Sequence, residues 1–266
     1  MTTATVPRLA NIAPDLVGTT RRQRVIALAR PYAGIAAFAV AGWLGWWWLA
    51  PLVMFGIFVA VVTVTHDVVH RSLGLGRRQT EWALFLLGTL LLESGHAYRA
   101  THLQHHRLFP SDEDPEGYPA HLSFACAVLY GPVFLIRLWW WAYRRSRQPQ
   151  RAWLLAEAGL PPAALAAGAL LWPITPGLLA YAVMAIAGSW VYPLLTVYLP
   201  HHDYGDTPLT QTRTLRGRVI PALFLELTYH LEHHLYPQVP SHHLAELARR
   251  LDPYFERAGV RPRRVV

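Results

Sequence analysis

The stretch PLVMFGIFVAVVTVTHDVVH (51–70) carries no charge until Asp67 and ends in two histidines four residues apart. A helix needs roughly 20 apolar residues to cross the hydrocarbon of a bilayer. This segment therefore reads as a membrane span whose last turn places His66 and His70 on one face. Working outward, residues 31–50 are also nearly uncharged and make a partner span, with Pro51 at the tight turn between them. A second pair lies at about 153–172 and 176–199, joined by the uncharged WPITP at 172–176. Two other apolar stretches read as interfacial or re-entrant. Residues 82–92 are too short to cross, and 121–142 carry Arg137 and the Trp139-Trp140-Trp141 run. The expectation is an all-α integral membrane protein with four transmembrane helices in two hairpins.

Composition supports the membrane. Of the 266 residues, 53% are apolar and 15% charged, where a soluble domain carries about 25% charged. All 24 basic residues are arginine. They lie in the N-terminal segment, in 71–151 and after residue 200, while the turns near residue 51 and at 172–176 hold none. Positive residues stay on the cytoplasmic side, so both termini and the long central segment are expected there. The basic excess belongs to this topology and not to nucleic-acid binding. A single cysteine, Cys126, rules out an intramolecular disulfide and a cysteine-based zinc finger. The N-terminus lacks the compact apolar core and small-residue site of a cleaved signal peptide. The chain divides into an N-terminal cytoplasmic segment (1–30), a membrane domain (31–251) and a basic tail (252–266), with no room for a separate redox module.

Eight of the 14 histidines fall into three compact motifs. These are His66 and His70 in HDVVH, His102, His105 and His106 in HLQHH, and His230, His233 and His234 in HLEHH. Residues three and four apart share a helix face, so each motif can aim several imidazoles at one point. All three lie on the cytoplasmic side of the four-span map. One catalytic zinc needs about three protein ligands; this many converging histidines suit two ions. Imidazole serves zinc, copper, iron and nickel alike, but the end of lipid-buried helices meets substrates with few polar bonds. Oxidation of an unactivated C–H bond needs a redox metal and oxygen, and zinc has no redox chemistry; iron is favoured. A zinc-dependent membrane lipid hydrolase and a non-catalytic membrane scaffold are the alternatives. There is no H-E-x-x-H, G-x-S-x-G, Walker A or G-x-G-x-x-G motif.

The three ordered motifs, separated by helical hairpins, resemble the membrane fatty acid desaturase/hydroxylase superfamily from about Pro31 to Leu251. The resemblance implies a non-haem di-iron centre, molecular oxygen as co-substrate, and electrons from an external ferredoxin-type donor and its reductase. It also implies metal ligation by His66, His70, His102, His105, His106, His230, His233 and His234. A further ligand upstream of the third motif falls in Leu-Pro-His-His (199–202), where His201, directly after Leu-Pro, is favoured over His202. HHRLFPSDEDPEGY (105–118), with its Asp114-Pro115-Glu116, and YHLEHHLYPQVPSHHL (229–244) resemble carotenoid ring hydroxylases and ketolases. Acyl-lipid desaturases and hydroxylases share part of that pattern. The expected substrate is a hydrophobic lipid, best a β-carotene ring, with an acyl chain as the alternative; no catalytic residue beyond the metal centre is implied.

Asp67, Asp114, Glu116 and Glu232 could orient ligating imidazoles, although Asp112, Glu113, Asp114 and Glu116 read equally well as a solvated acidic loop. His96, His121, His242 and His243 lack ligand spacing and are expected at the surface or interface. Tyr98 and Arg99 either support the second motif or pack a helix face. Trp43, Trp46, Trp47 and Trp48 read as an interfacial belt, and Arg144, Arg145, Arg147 and Arg151 as a lipid-headgroup anchor. Cys126 is expected to be a small buried hydrophobe.

Overall fold

A computed structural model describes residues 6–266; the first five residues of the expected N-terminal segment lie outside it. The protein is mostly helical. Helix α1 (Arg21–Trp43) starts where the Thr20 hydroxyl accepts from the Gln23 amide and Gln23 reaches back to the Thr20 amide, satisfying two otherwise orphaned donors. The chain reverses through Gly45, whose φ of 74° suits a residue without Cβ. Helix α2 (Ala50–Val69) follows, with Pro51 in its first turn. It is the central helix: 61% of its most apolar window is buried, against 17% to 22% in the other long helices. Its Val-rich run Val59–Val69 is buried on every side and so has no solvent-exposed face.

Helices α3 (Arg77–Leu91) and α4 (Gly95–Leu108) form a corner through Leu92, which takes a left-handed φ of 58°. Helix α5 (Phe124–Arg145) comes next. Then α6 (Gln150–Ala158) and α7 (Leu160–Leu171) run almost continuously into a turn. Helix α8 (Gly177–Gly188) extends through a π-helical stretch at Leu194–Tyr198 to His201. Among the described residues, five helices are long and apolar enough to cross a membrane, including Phe124–Arg145, which the sequence assigns to the interface. The difference arises because α5 is one uninterrupted 22-residue helix, whereas Arg137 and the tryptophan run suggest a surface segment. The protein is a multi-pass membrane protein.

Both hairpin turns sit at one end of the bundle. The Phe38 and Tyr181 rings meet edge to face at 5.1 Å, and a Cβ on Gly177 would lie 4.0 Å from the Trp47 ring. At the opposite end a second apolar cluster forms a cap. Helix α9 (His230–Leu235) is packed against α10 (Leu244–Ala258) and the segment around Leu16. The N-terminal segment is fastened here: the Tyr236 hydroxyl donates to Pro7 O at 2.6 Å, and Arg250 takes both oxygens of Asp15 at 2.6 and 2.8 Å. A short parallel pair, β1 (Leu215–Arg216) with β2 (Arg263–Arg264), ties down the tail. Helix α10 runs on to Ala258 and ends at Gly259, whose φ is 73°.

Candidate metal centre

Four helix ends bring the histidines together. His66 and His70 come from the last turn of α2, and His102, His105 and His106 from α4. His201 closes the helix after the π-helical stretch, and His230, His233 and His234 come from α9. They sort into two groups, His66, His70, His102, His106 and His233 in one, and His105, His201, His230 and His234 in the other. Within each group the nearest ring nitrogens all lie within 4.8 Å of one another. A metal–nitrogen bond of roughly 2 Å lets two ligands on one ion stand up to about 4 Å apart, so a slight contraction closes either group on an ion. His202, the alternative to His201, points elsewhere: it is half-exposed and stacks on Tyr198.

The outer ring nitrogens show which way several imidazoles are protonated. Asp114 Oδ2 accepts from His105 Nδ1 at 2.6 Å, and the Gln211 carbonyl accepts from His201 Nδ1 at 3.0 Å. Both Glu116 oxygens lie 3.2 Å from His102 Nδ1. With their protons fixed outward, His105 and His201 turn lone pairs toward each other across 3.1 Å. That contact requires a positive charge between them, either an extra proton on one ring or a metal ion. His70 Nε2 points into the first group, buried and without a hydrogen-bond partner. These donors fit metal ions with imidazole ligands.

Electrostatics agree. Burial and then the neighbouring imidazoles hold His102, His106, His233 and His234 well below the usual histidine range, and His230 likewise, so these rings are neutral and free to ligate. His105 differs: burial pulls it down, but the hydrogen bond and charge of Asp114 outweigh this and raise it. Burial, opposed by His105 and reinforced by Asp114, pushes the Glu116 carboxyl up to about 8; a bound cation acts in the other direction.

Some expectations need correction. Asp67 makes no hydrogen bond to an imidazole: His66 Nδ1 stands 3.9 Å from its Oδ1, while its oxygens accept from the Ser241 amide at 2.9 Å and hydroxyl at 2.7 Å, tying α2 to the turn before α10. Glu232 pairs with Arg216 at 2.8 Å, fixing α9 to β1. His96 is not at the surface. It is fully buried, stacked on Trp153, with Glu157 at 2.6 Å on one nitrogen and Glu81 at 3.0 Å on the other; Arg99 completes the quartet through Glu81. Cys126 is exposed on α5, because it lies on the side of the helix turned from the core. His121 is exposed, while His242 and His243 are half-buried. Tyr98 stacks on His102 at 4.8 Å, so it does support the second motif. Trp43, Trp46 and Trp48 remain exposed near the first turn, and Trp47 packs on Phe38. Arg144, Arg145 and Arg151 lie over Trp140, Trp141 and Tyr143. Asp112 and Glu113 are solvated, unlike Asp114 and Glu116.

Beside the imidazoles lies a cavity of about 230 Å³. His66, His102 and His230 form part of its wall, and Phe58, Val62, Leu195, Ile220, Phe224 and Leu227 much of the rest. The lining can therefore seat an apolar molecule beside metal ions held by these histidines.

The sequence profile of the fatty acid desaturase family matches residues 41–265, which include every histidine of both groups. The chain belongs to the fatty acid desaturase family. Among similar proteins, the dihydrorhizobitoxine desaturase of Bradyrhizobium elkanii is 26% identical, with 95% of this chain and 81% of the relative aligned. The β-carotene ketolase of Paracoccus sp. strain N81106 / MBIC 01143 is 28% identical over 76% of each chain. That of Paracoccus sp. strain PC1 is 27% identical over 80% of this chain and 78% of the relative. Membership makes this desaturase-family protein an oxidoreductase of the di-iron type acting on a hydrophobic lipid in the membrane, and it sets the zinc-hydrolase and scaffold readings aside.

Proposed function

We propose that the chain is a membrane di-iron oxygenase that oxidises a ring C–H bond of a carotenoid, by ketolation or hydroxylation. The observation that carries this reading is the apolar cavity walled by His66, His102 and His230. The two ketolase relatives point the same way. The nine histidines in the two groups are the proposed iron ligands, with His201 as the ninth. Two iron ions bound there would supply oxygen-dependent attack on an unactivated C–H bond, fed by an external ferredoxin-type donor and its reductase. One hydroxylation consumes the C–H bond, O2, two electrons and two protons, and yields an alcohol and water. A second on the same carbon, followed by loss of water, yields a ketone. The protein's own part is to hold His105, His102 and His201 by Asp114, Glu116 and the Gln211 carbonyl, and to exclude water with Phe58, Val62 and Phe224. The desaturase relative supports a second reading, in which the same centre removes two hydrogens from a linear chain.

Four spans, not five, are proposed. His70 and His201 reach one site, which requires an even number of crossings between them, and α5, α6–α7 and α8 offer three. Both ends of α5 meet histidine-side segments: Phe124 packs on Tyr198, and Trp139 donates to Leu154 O at 2.9 Å, near the start of α6. We therefore take α5 as lying along the interface. The arginine distribution supports a cytoplasmic histidine side and cytoplasmic termini.

The test is mass spectrometry of lipid extracts from a β-carotene-producing bacterium, with and without this protein and with a ferredoxin and its reductase co-expressed. New carotenoid carrying one or two added oxygens, as hydroxyl or keto masses, is expected. An unchanged carotenoid pool alongside a new acyl double bond would replace this reading with the desaturase one.

A further inference from the structure

Behind Tyr98 lies a second cavity, of about 260 Å³, between α4, α5 and the α6–α7 helix. Leu135, Leu138, Trp139 and Pro161 make its walls apolar, while Glu93, Ser94, Glu157 and Tyr192 give it a polar floor. Tyr98 lines both cavities. A small void beside Tyr98 shares Val62 with the metal cavity and Glu93, Ser94 and Tyr192 with the second one. The spaces thus form a bent series around one tyrosine ring.

Part of the polar floor is already paired. Glu157 takes Ser94 Oγ at 2.5 Å and His96 Nδ1 at 2.6 Å, and the Tyr98 and Tyr192 rings meet edge to face at 6.1 Å. Glu93 is the exception: its Oε1 is buried with no hydrogen-bond partner. A buried carboxyl oxygen left unpaired is costly, and such groups call for an explanation. Burial alone pushes this carboxyl up to about 8. At neutral pH it therefore keeps its proton, and it can donate and accept a hydrogen bond but offers no charge to an amine.

We propose that Glu93 is a specificity-determining residue: the cavity behind Tyr98 takes the end of the lipid remote from its reacting carbon, and Glu93 hydrogen-bonds an uncharged oxygen, a hydroxyl or carbonyl, on that end. This rests on the lipid-oxidation reading above but not on the lipid being a carotenoid. The apolar walls accept the hydrocarbon body, and Glu157, the other carboxyl in this cavity, is already held by Ser94 and His96.

The test reads binding to the full-length, iron-loaded protein in lipid nanodiscs, with two probe sets. One is β-carotene and its singly ring-hydroxylated derivative; the other is octadecane, octadecan-1-ol and octadecylamine. One hydrogen bond should make the alcohol bind about five- to tenfold tighter than its hydrocarbon in wild type and in Glu93→Gln. In Glu93→Leu and Glu93→Ala, with iron content confirming the fold, the two should bind equally. Equal binding by wild type, a preference that survives in the apolar variants, or octadecylamine binding tighter than the alcohol would each overturn the proposal. A preference in the octadecyl set alone keeps Glu93 in its role and counts against the carotenoid. Because binding is read without turnover, failure of the lipid-oxidation reading shows separately, as no oxidation of any probe.

Discussion

At the scale of single residues, the proposed centre depends on groups that would bind no metal themselves but hold the ligating rings. Asp114 is the strongest case: its 2.6 Å bond fixes the His105 proton on Nδ1. Loss of such a partner typically costs 10- to 100-fold, on the order of 1.4–2.8 kcal/mol, in metal affinity or activity. Asp114→Asn should lower iron content or product yield by about that factor, with Glu113→Gln, an exposed neighbour, as the unaffected control; metal analysis of the purified proteins checks both. Glu93 yields a pH prediction. Its carboxyl is raised from the ordinary 4.5 to about 8 when folded, so the folded state binds the proton more tightly. Its stability contribution is complete below pH 4.5 and is lost as the pH climbs to about 8. Glu93→Gln removes that loss. The variant's thermal midpoint in detergent should exceed wild type by a margin that widens from pH 5 to pH 8.

At the scale of elements, the hairpins and the three histidine motifs were legible because both are local signals: an apolar run long enough to cross, and imidazoles spaced by one helical turn. What could not be read was pairing across distance. His96 finds Glu157 and Glu81 at separations of 61 and 15 residues, and Asp67 finds Ser241 across 174; no periodicity encodes those partners. Cys126 misled for a related reason, since composition gives the apolarity of a helix but not what covers it. Tight helix contacts give another prediction. A Cβ on Gly168 of α7 would stand 2.7 Å from Leu179 Cα and 2.8 Å from its backbone nitrogen. Backbone cannot yield as a side chain does, so Gly168→Val should splay α7 from α8 and destabilise by about 1–3 kcal/mol. Fluorescence-detected size exclusion after a heating series checks it: a midpoint equal to wild type would mean the contact is looser than it stands here.

At the scale of the whole molecule, the proposed four-span arrangement predicts sidedness. With Cys126 replaced by Ser, the chain has no other thiol. New cysteines at Gly45 or Ile174, in the two arginine-free turns, should react with a membrane-impermeant maleimide from outside intact cells. One at Ser146, between α5 and α6, should react only after the membrane is opened; labelling of Ser146→Cys in intact cells would mean that α5 crosses. The division of the histidines also governs how the protein is made. Each group is completed by α9, His233 in one and His230 with His234 in the other. That short helix is itself fastened by α10 and by the segment around Leu16. Because α9 follows both hairpins in the chain, a ribosome has released the hairpins before either group is whole. No half-loaded intermediate with one finished site can exist partway through synthesis. The proposed iron ions therefore meet complete ligand sets only in a chain whose hairpins are already threaded through the bilayer, once α9 has been seated by α10 and the segment around Leu16.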